Sequence, residues 1–237
     1  MRTAWLQRWA SEPTSRCAVC GAWPARPLCD ACVVRFAQPQ HRCLRCALPL
    51  TEAAGVCGAC LREPPPLDAC FAAVPYAYPW SGLIARFKFQ GEPGWAQALG
   101  ERMARIPGIA TELGRADLLL PMPLAPRRLA ERGFNQALLL ARQLARDKVE
   151  TQLLLRLRET DSQAALDRRA RQANVGGAFG LEPLRAGEVR GRSVMLVDDV
   201  MTSGASLHAA ALALKQAGAQ RVAAAVLART DDPAQAP

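Results

Sequence analysis

The stretch VMLVDDVMTSGAS, residues 194–206, decides the fold because it joins an apolar strand to a helix through a polar turn. Four apolar residues bounded by turn residues are typical of a buried parallel strand, and the Ala- and Leu-rich residues 207–217 predict the following helix. The turn at 202–206 then lies at a helix N-terminus, where unpaired backbone N–H groups and the helix dipole favour an anion. This order of elements predicts a phosphate site.

Two adjacent acids, Asp198 and Asp199, stand at the carboxyl end of the same predicted strand. Because carboxylates repel phosphate, their chemistry points instead to hydroxyl groups or a hydrated cation. Open α/β sheets bind ligands beyond the carboxyl ends of their strands, which is where these acids lie. A ribose diol with Mg²⁺ nearby would satisfy both acids. The alternative, an Asp pair that only caps the helix, leaves the second acid unexplained, since a cap needs one such side chain.

The stretch resembles the phosphoribosyl-pyrophosphate (PRPP) signature of type I phosphoribosyltransferases. The resemblance implies that Asp198 and Asp199 are the catalytic pair and hold the ribose hydroxyls of Mg²⁺-bound PRPP. It also implies that the turn binds the 5′-phosphate, through Thr202, Ser203, Gly204, Ala205 and Ser206. Ala205 stands where glycine is common in that signature. Val200 follows the acids, so the turn supplies no third carboxylate as a general base.

Length and charge limit the class of protein. The chain has 237 residues, half of them hydrophobic, which is enough for one doubly wound core and a small appendage. Its formal net charge of +9 favours anionic partners, either phosphorylated small molecules or nucleic acid, without deciding between them. No apolar run approaches the length of a membrane span, and residues 1–16 lack the apolar core of a signal peptide. A cytoplasmic location is expected.

Eight of the nine cysteines form four C-x₂-C pairs in the first sixty residues. Two such pairs complete a tetrahedral Cys₄ zinc site, and a closed site of four sulfurs stabilises rather than catalyses. We therefore expect two structural Zn²⁺ ions bound by consecutive pairs: Cys17, Cys20, Cys29 and Cys32 for one, and Cys43, Cys46, Cys57 and Cys60 for the other. Interleaved binding, with the first pair joined to the third, remains an alternative. Cys70 lies among apolar residues, which favours a buried thiol.

Composition changes after the prolines at 64–66, which predicts a domain boundary there. Residues 1–66 are expected to form a double zinc-ribbon domain with a short N-terminal segment and a proline-rich spacer. Residues 67–230 are expected to form an α/β domain, followed by a disordered tail at 231–237. Within the α/β domain, apolar patterning predicts strands and helices in turn. The predicted strands are 71–78, 117–121, 153–157, 194–197 and 221–228, and the predicted helices are 83–89, 95–106, 137–146 and 207–217.

A proline-rich loop is expected at 121–136, directly after the strand at 117–121. It carries Arg127, Arg128 and Arg132, whose guanidinium groups would meet a second anion if this strand runs parallel to the one at 194–197. Solvated surface arginines are the ordinary alternative. The cationic residues 167–174 lack an apolar stripe, so they favour a lid that closes over the site, with glycines 176–177 as its hinge.

The whole chain resembles the competence protein F (ComF) family, in which zinc ribbons precede a phosphoribosyltransferase-like domain. The resemblance rests on the cysteine pairs, Phe87-Lys88-Phe89, residues 121–124, 132–136 and 160–174, and the stretch at 194–206. It implies an α/β fold with a doubly wound, mostly parallel sheet and a small Cys₄ zinc-ribbon domain. It further implies a role in natural transformation, the uptake of single-stranded DNA. Candidates for pyrophosphate or the lid are Lys88, Arg128, Arg132, Asn135 and Arg171.

Two classes of function follow from these observations. The first is a phosphoribosyltransferase that positions Mg²⁺-PRPP for an acceptor that the sequence does not identify. The second is a binding module without turnover, which holds single-stranded nucleic acid or docks other competence proteins. Adjacent carboxylates at the phosphate site would weaken a nucleic-acid groove, so they favour the phosphoribosyl ligand.

Overall fold

The computed structural model describes residues 15–53, 55–158 and 177–231. The lid candidate Arg171, the expected lid at 167–174 and the tail at 232–237 lie outside the described residues. By packing, the chain divides into two compact units, Met1–Pro39 and Gln40–Pro237. The domain boundary predicted near residue 66 stays a prediction. The second group of cysteines, from Cys43 to Cys60, lies within the larger unit.

The first unit is built around its four cysteines. A β-bridge pairs Ser15 with Ala25, and helix α1 (Asp30–Phe36) begins directly after Cys29. Cys17 and Cys32 are buried, whereas Trp23 and Val34 are exposed. The described residues of this unit bury few apolar side chains, which fits a segment that a metal ion at its cysteines would stabilise.

A parallel four-stranded sheet forms the centre of the second unit, with the order β1-β6-β5-β2. A short antiparallel pair, β3 with β4, lies outside it, so the strand expected at 153–157 does not join the main sheet. The strands are β1 (Ala69–Pro75), β2 (Leu118–Pro121), β3 (Leu154–Arg156), β4 (Phe179–Leu181), β5 (Ser193–Met201) and β6 (Arg221–Arg229).

Helices of the second unit connect and cover these strands. They are α2 (Gly58–Arg62), α3 (Trp80–Phe89), α4 (Trp95–Ala104), α5 (Ile109–Arg115), α6 (Pro126–Arg132), α7 (Gln136–Ala145) and α8 (Ala205–Gln216), with 3₁₀ turns at Arg146–Lys148 and Ala186–Val189. The prediction of a loop throughout 121–136 is wrong for α6. Pro126 occupies its first turn, where a missing N–H costs nothing, and Gly133 ends it with a φ of 76°.

Alternate residues of β5 and β6 face opposite sides of the sheet, and both sides are covered. Val194, Leu196 and Val222 pack in one apolar cluster with Leu207 and Leu214 of α8. Their sequence neighbours on the strands, which point the other way, are buried as well: Met195, Val197, Ala223 and Ala225. Strands that are apolar on both faces are typical of a doubly wound parallel sheet, so the predicted fold class is confirmed.

None of the described helices is both long and apolar enough to cross a bilayer.

Candidate functional site

A cavity of about 200 Å³ lies where β5 ends and α8 begins. It brings together nearly all the side chains that the sequence singled out: Lys88, Arg128, Arg132, Asn135, Asp198, Asp199, Thr202, Gly204, Ala205 and Ser206. Ser203 is the exception among the described candidates, since it lines a second cavity between α8 and the proline-rich spacer. Parallel strands end at the same edge of a sheet, which explains why segments distant in sequence meet here.

The two acids occupy different surroundings although they are neighbours. Asp199 is buried, and its Oδ1 lies 2.9 Å from Nζ of Lys88. Asp198 accepts a hydrogen bond of 2.9 Å at Oδ1 from the backbone N–H of Asp199. Burial and the charge of Asp199 raise the pKa of Asp198 to about 7, against the opposing effect of Lys88 and Arg156. The pair can therefore gain or lose one proton near neutral pH.

The turn before α8 depends on glycine at position 204. Gly204 has a φ of 82°, and a Cβ at this position would lie 2.4 Å from Cε of Met201. The carbonyl of Gly204 accepts the first helical hydrogen bond, from the N–H of His208, at 2.9 Å. Glycine thus lets the chain turn sharply from β5 into α8, which directs the first N–H groups of the helix along its axis toward the turn.

Two sequence motifs interlock beside the cavity. The ring centroids of Phe87 and Phe134 lie 5.7 Å apart, and the guanidinium of Arg132 lies 5.0 Å from the ring centroid of Phe89. Lys88 lies between Phe87 and Phe89 in sequence, and its Nζ contacts Asp199. Each residue of the Phe87-Lys88-Phe89 motif therefore has its own contact at this site.

Asn135 and Gln136 begin helix α7 at the wall of the cavity. The Asn135 side chain caps the helix, because Oδ1 accepts from the N–H of Leu138 at 3.2 Å and Nδ2 donates to the carbonyl of Met122 at 3.0 Å. Asn135 therefore has a structural role that its sequence pattern did not predict. Gln136 Oε1 accepts from Arg132 at 3.1 Å, whereas its buried Nε2 has no hydrogen-bond partner among the described residues.

Sequence reasoning missed two polar residues of the cavity wall, Arg156 and Gln136. Arg156 ends β3, where its guanidinium lies 5.3 Å from the ring centroid of Phe179. An arginine that directly follows three leucines was the available signal for it, since the end of a strand is where site residues lie. Gln136 directly follows Asn135, a predicted site residue, and this adjacency was the available signal for it.

The cysteines form two separate groups of four, Cys17, Cys20, Cys29 and Cys32, and Cys43, Cys46, Cys57 and Cys60, and the sulfurs of each group lie within 4.8 Å of one another. Sulfur pairs in them are 3.7 to 3.8 Å apart: Cys17 with Cys32, Cys20 with Cys29 and Cys46 with Cys57. A tetrahedron with Zn–S bonds of about 2.3 Å has edges of about 3.8 Å, so both groups fit zinc. Consecutive pairs are confirmed as the grouping.

The two groups are repeats of one local structure. In each, the N–H of the third cysteine donates to the sulfur of the first, from Cys29 to Cys17 at 3.5 Å and from Cys57 to Cys43 at 3.3 Å. Burial opposes ionisation of both first cysteines, but these backbone donors prevail and lower the pKa of Cys17 to about 6 and of Cys43 to about 7. Thiolates are the form that binds zinc.

Comparisons with known proteins agree with this geometry. A model described as the phosphoribosyl transferase domain matches residues 129–237. The DNA utilization protein YhgH of Escherichia coli K12 is 34% identical over 210 residues, which span 86% of this chain and 90% of that protein. Competence protein F of Haemophilus influenzae is 32% identical over 212 residues, or 85% of this chain and 90% of that protein.

Competence protein ComFC of Bacillus subtilis is 28% identical over 137 residues, which span 57% of this chain and 53% of that protein. The matches to YhgH and competence protein F each span more than four fifths of this chain. The chain therefore belongs to the competence protein F family, in which cysteine sites of the zinc-ribbon type accompany a phosphoribosyltransferase domain.

Proposed function

We propose that the cavity binds PRPP together with Mg²⁺. Asp198 and Asp199 hold the ribose hydroxyls, and the turn at 202–206 holds the 5′-phosphate through its backbone N–H groups. Arg128, Arg132 and Lys88 face the pyrophosphate. The observation that carries this proposal is the meeting of the acid pair and the phosphate turn in one cavity.

The charges around the cavity suit such a ligand. Four cationic side chains line it, Lys88, Arg128, Arg132 and Arg156, together with two acids. The cations attract phosphate groups, whereas the acids are useful only to hydroxyls or a metal ion. The ammonium group of Lys88 contacts Asp199, so a cation or hydroxyl group that binds Asp199 displaces the ammonium group of Lys88. Lys88 is then available to phosphate oxygens.

The oxygen donors fit Mg²⁺, which prefers one or two carboxylates together with phosphate oxygens of its substrate. When bound with PRPP, Mg²⁺ supplies charge neutralisation of the pyrophosphate. In a transfer reaction the bond from ribose C1 to the pyrophosphate oxygen breaks, and its electron pair leaves with the pyrophosphate. The acceptor then donates an electron pair to C1 and loses a proton. The residues of the chain contribute position and charge to these steps.

Calorimetry with Mg²⁺-PRPP tests the proposal. We expect binding by the intact protein and at least about a hundredfold weaker binding by Asp198→Asn/Asp199→Asn, because its hydroxyl acceptors are neutralised. Asp147→Asn is a matched control on the 3₁₀ turn at Arg146–Lys148, outside the cavity lining. Equal binding by the double variant contradicts the proposed site. Release of pyrophosphate with a panel of bases and amines then separates an enzyme from a binding module.

A link to DNA uptake is the second part of the proposal. It is supported by the names of the relatives, which refer to competence and DNA utilization, and by the net charge of +9. The acid pair makes the cavity itself a poor groove for a nucleic-acid backbone. We therefore expect binding of a single-stranded oligonucleotide, if present, to weaken with salt and to persist in Asp198→Asn/Asp199→Asn. Loss of transformation on deletion of the gene is the corresponding cellular test.

A further inference from the structure

We infer that Arg229 is a positioning residue that couples the second cysteine site, formed by Cys43, Cys46, Cys57 and Cys60, to the phosphate turn. The inference rests on the proposed function, since it assigns the turn to a phosphate. It adds that a metal ion at the second cysteine site controls the affinity of the cavity for this phosphate, whereas one at the first site does not.

Contacts of the Arg229 side chain carry the inference. Arg229 ends β6 and is buried. Its Nε donates to the carbonyl of Cys46 at 2.9 Å. Its Nη1 donates to the carbonyls of Met201, at 3.1 Å, and Thr202. One guanidinium therefore joins a metal-ligating cysteine to the first residues of the turn.

These hydrogen bonds fix the direction of the turn's N–H groups. In a planar trans peptide, the N–H of a residue points opposite to the carbonyl of the residue before it. Carbonyls of Met201 and Thr202 that point at Arg229 therefore turn the N–H groups of Thr202 and Ser203 away from it. Arg229 lies outside the lining of the phosphate cavity. Loss of its hydrogen bonds would free the peptide between Thr202 and Ser203 to rotate, whereas the carbonyl of Met201 keeps a hydrogen bond of 3.1 Å from the N–H of Thr230.

Further contacts join the same two regions. The N–H of Cys70 donates to the carbonyl of Leu44, within the second cysteine site, at 2.8 Å. The thiol of Cys70 lies 3.7 Å from the sulfur of Met201. Met201 in turn fills the space under Gly204. The turn is thus connected to the second cysteine site through Met201 and Cys70 as well as through Arg229.

Charge explains why a metal ion at this site matters to Arg229. Four thiolates and one Zn²⁺ carry about two net negative charges together, which favour a buried guanidinium nearby. Arg42 contributes a second cation here, since its Nη1 donates to the carbonyl of Ala47 at 2.9 Å. A zinc-loaded site therefore holds Arg229 in place more firmly than one without zinc.

The test compares the two cysteine sites at equivalent positions. Cys57→Ser and Cys29→Ser each remove the third ligand, just before α2 and α1 respectively. We expect Cys57→Ser and Arg229→Lys each to weaken binding of ribose 5-phosphate by about tenfold, through the lost orientation of the turn. Cys29→Ser and Arg221→Lys are the matched controls, because Arg221 begins the same strand and pairs with Glu112. Both controls should bind as the unchanged protein does.

Hydrogen exchange of the backbone at 202–206 gives a readout without any ligand. Faster exchange in Arg229→Lys and in Cys57→Ser supports the inference. The double variant should then exchange more slowly than the sum of the two single effects predicts, because both substitutions act through one contact. Unchanged exchange in either variant, additive effects, or an equal effect of Cys29→Ser overturns it. If Arg229→Lys does not fold, Cys57→Ser against Cys29→Ser still decides. Absence of ribose 5-phosphate binding by the unchanged protein counts against the proposed function, while exchange still tests the coupling.

Discussion

The two cysteine sites share one local structure but differ in what surrounds them. The first belongs to the small unit Met1–Pro39, whose described residues, from 15 onward, include few buried apolar side chains. The second contributes Cys43, Cys46 and Cys60 to the apolar cluster of the sheet and is hydrogen-bonded to Arg229. The same C-x₂-C motif therefore lies in a small unit of its own in one case and is built into the apolar cluster of the sheet in the other. A repeat in sequence does not imply a repeated role.

The strongest way to break this comparison is to remove one metal site at a time. A structural zinc ion supplies on the order of 10 kcal/mol in isolated fingers. We expect Cys43→Ser/Cys46→Ser to lower the melting temperature of the second unit by more than about 10 °C. Cys17→Ser/Cys20→Ser should leave that transition within about 2 °C. Calorimetry with zinc analysis measures both, and equal shifts would mean that the second site is not built into the sheet.

Gly204→Ala perturbs the turn without touching a cysteine. The positive φ and the contact with Met201 predict a loss of about 3 kcal/mol in the free energy of unfolding of the second unit. Gly114→Ala is the control, since its Cβ would meet no atom within 4 Å and α5 gains a better helix former. Denaturant unfolding gives both values. If the zinc content of Gly204→Ala falls together with its stability, the turn affects the second cysteine site as well as the reverse.

Asp198 predicts a dependence of stability on pH. Its pKa is raised from 3.8 to about 7 in the folded chain. Between these values the unfolded chain releases a proton that the folded chain keeps, so stability falls as pH rises. Asp198→Asn should therefore stabilise the second unit increasingly up to neutral pH, by on the order of 2 kcal/mol above it. Denaturant unfolding at several pH values measures this gain.

Lys88→Met tests the same pH dependence by removing the cation that lowers the pKa of Asp198. The charge of Lys88 lowers the pKa of Asp198, so its removal should extend the fall in stability to higher pH. The first unit contains neither residue, and the pH dependence of its unfolding should not change with either variant. A change there would contradict the division into two units.

The smallest effect is expected at α6. Arg127 and Glu131 form an ion pair of 2.9 Å, with side chains that are 80% and 58% exposed. Such i, i+4 pairs contribute about 0.3 kcal/mol, so Arg127→Ala should leave unfolding and Mg²⁺-PRPP binding almost unchanged. Denaturant unfolding and calorimetry with Mg²⁺-PRPP measure both quantities, and the result shows how large an effect an exposed charge has in this protein. A large loss of affinity would place Arg127, rather than only Arg128 and Arg132, at the ligand.

Local features of the site were readable from sequence, because strand, acids, turn and helix follow one another at 194–206. The grouping of cysteines into consecutive fours was also predicted, since each zinc knuckle is a local structure. Contacts across the fold were not predictable. That Lys88 reaches Asp199, and that Arg156 joins the cavity from a strand outside the main sheet, depends on topology.

Prolines misled the sequence reasoning at helix α6. Residues 121–128 contain three prolines, which favoured a loop, yet Pro126 begins helix α6. The domain boundary predicted at the prolines 64–66 stays a prediction, and Leu48 and Leu67, on either side of them, lie in one buried cluster. Composition reports local stiffness, but it does not report which side chains pack together across a turn.

The contact between Phe87 and Phe134 has an evolutionary consequence. It joins α3 to the segment between α6 and α7, and so sets where Lys88 and Arg132 stand around the ligand cavity. A smaller ring or an aliphatic side chain at one position leaves a void that only a larger partner at the other can fill. Among relatives these two positions should therefore covary, and a lineage that lost the ligand would lose that covariation first.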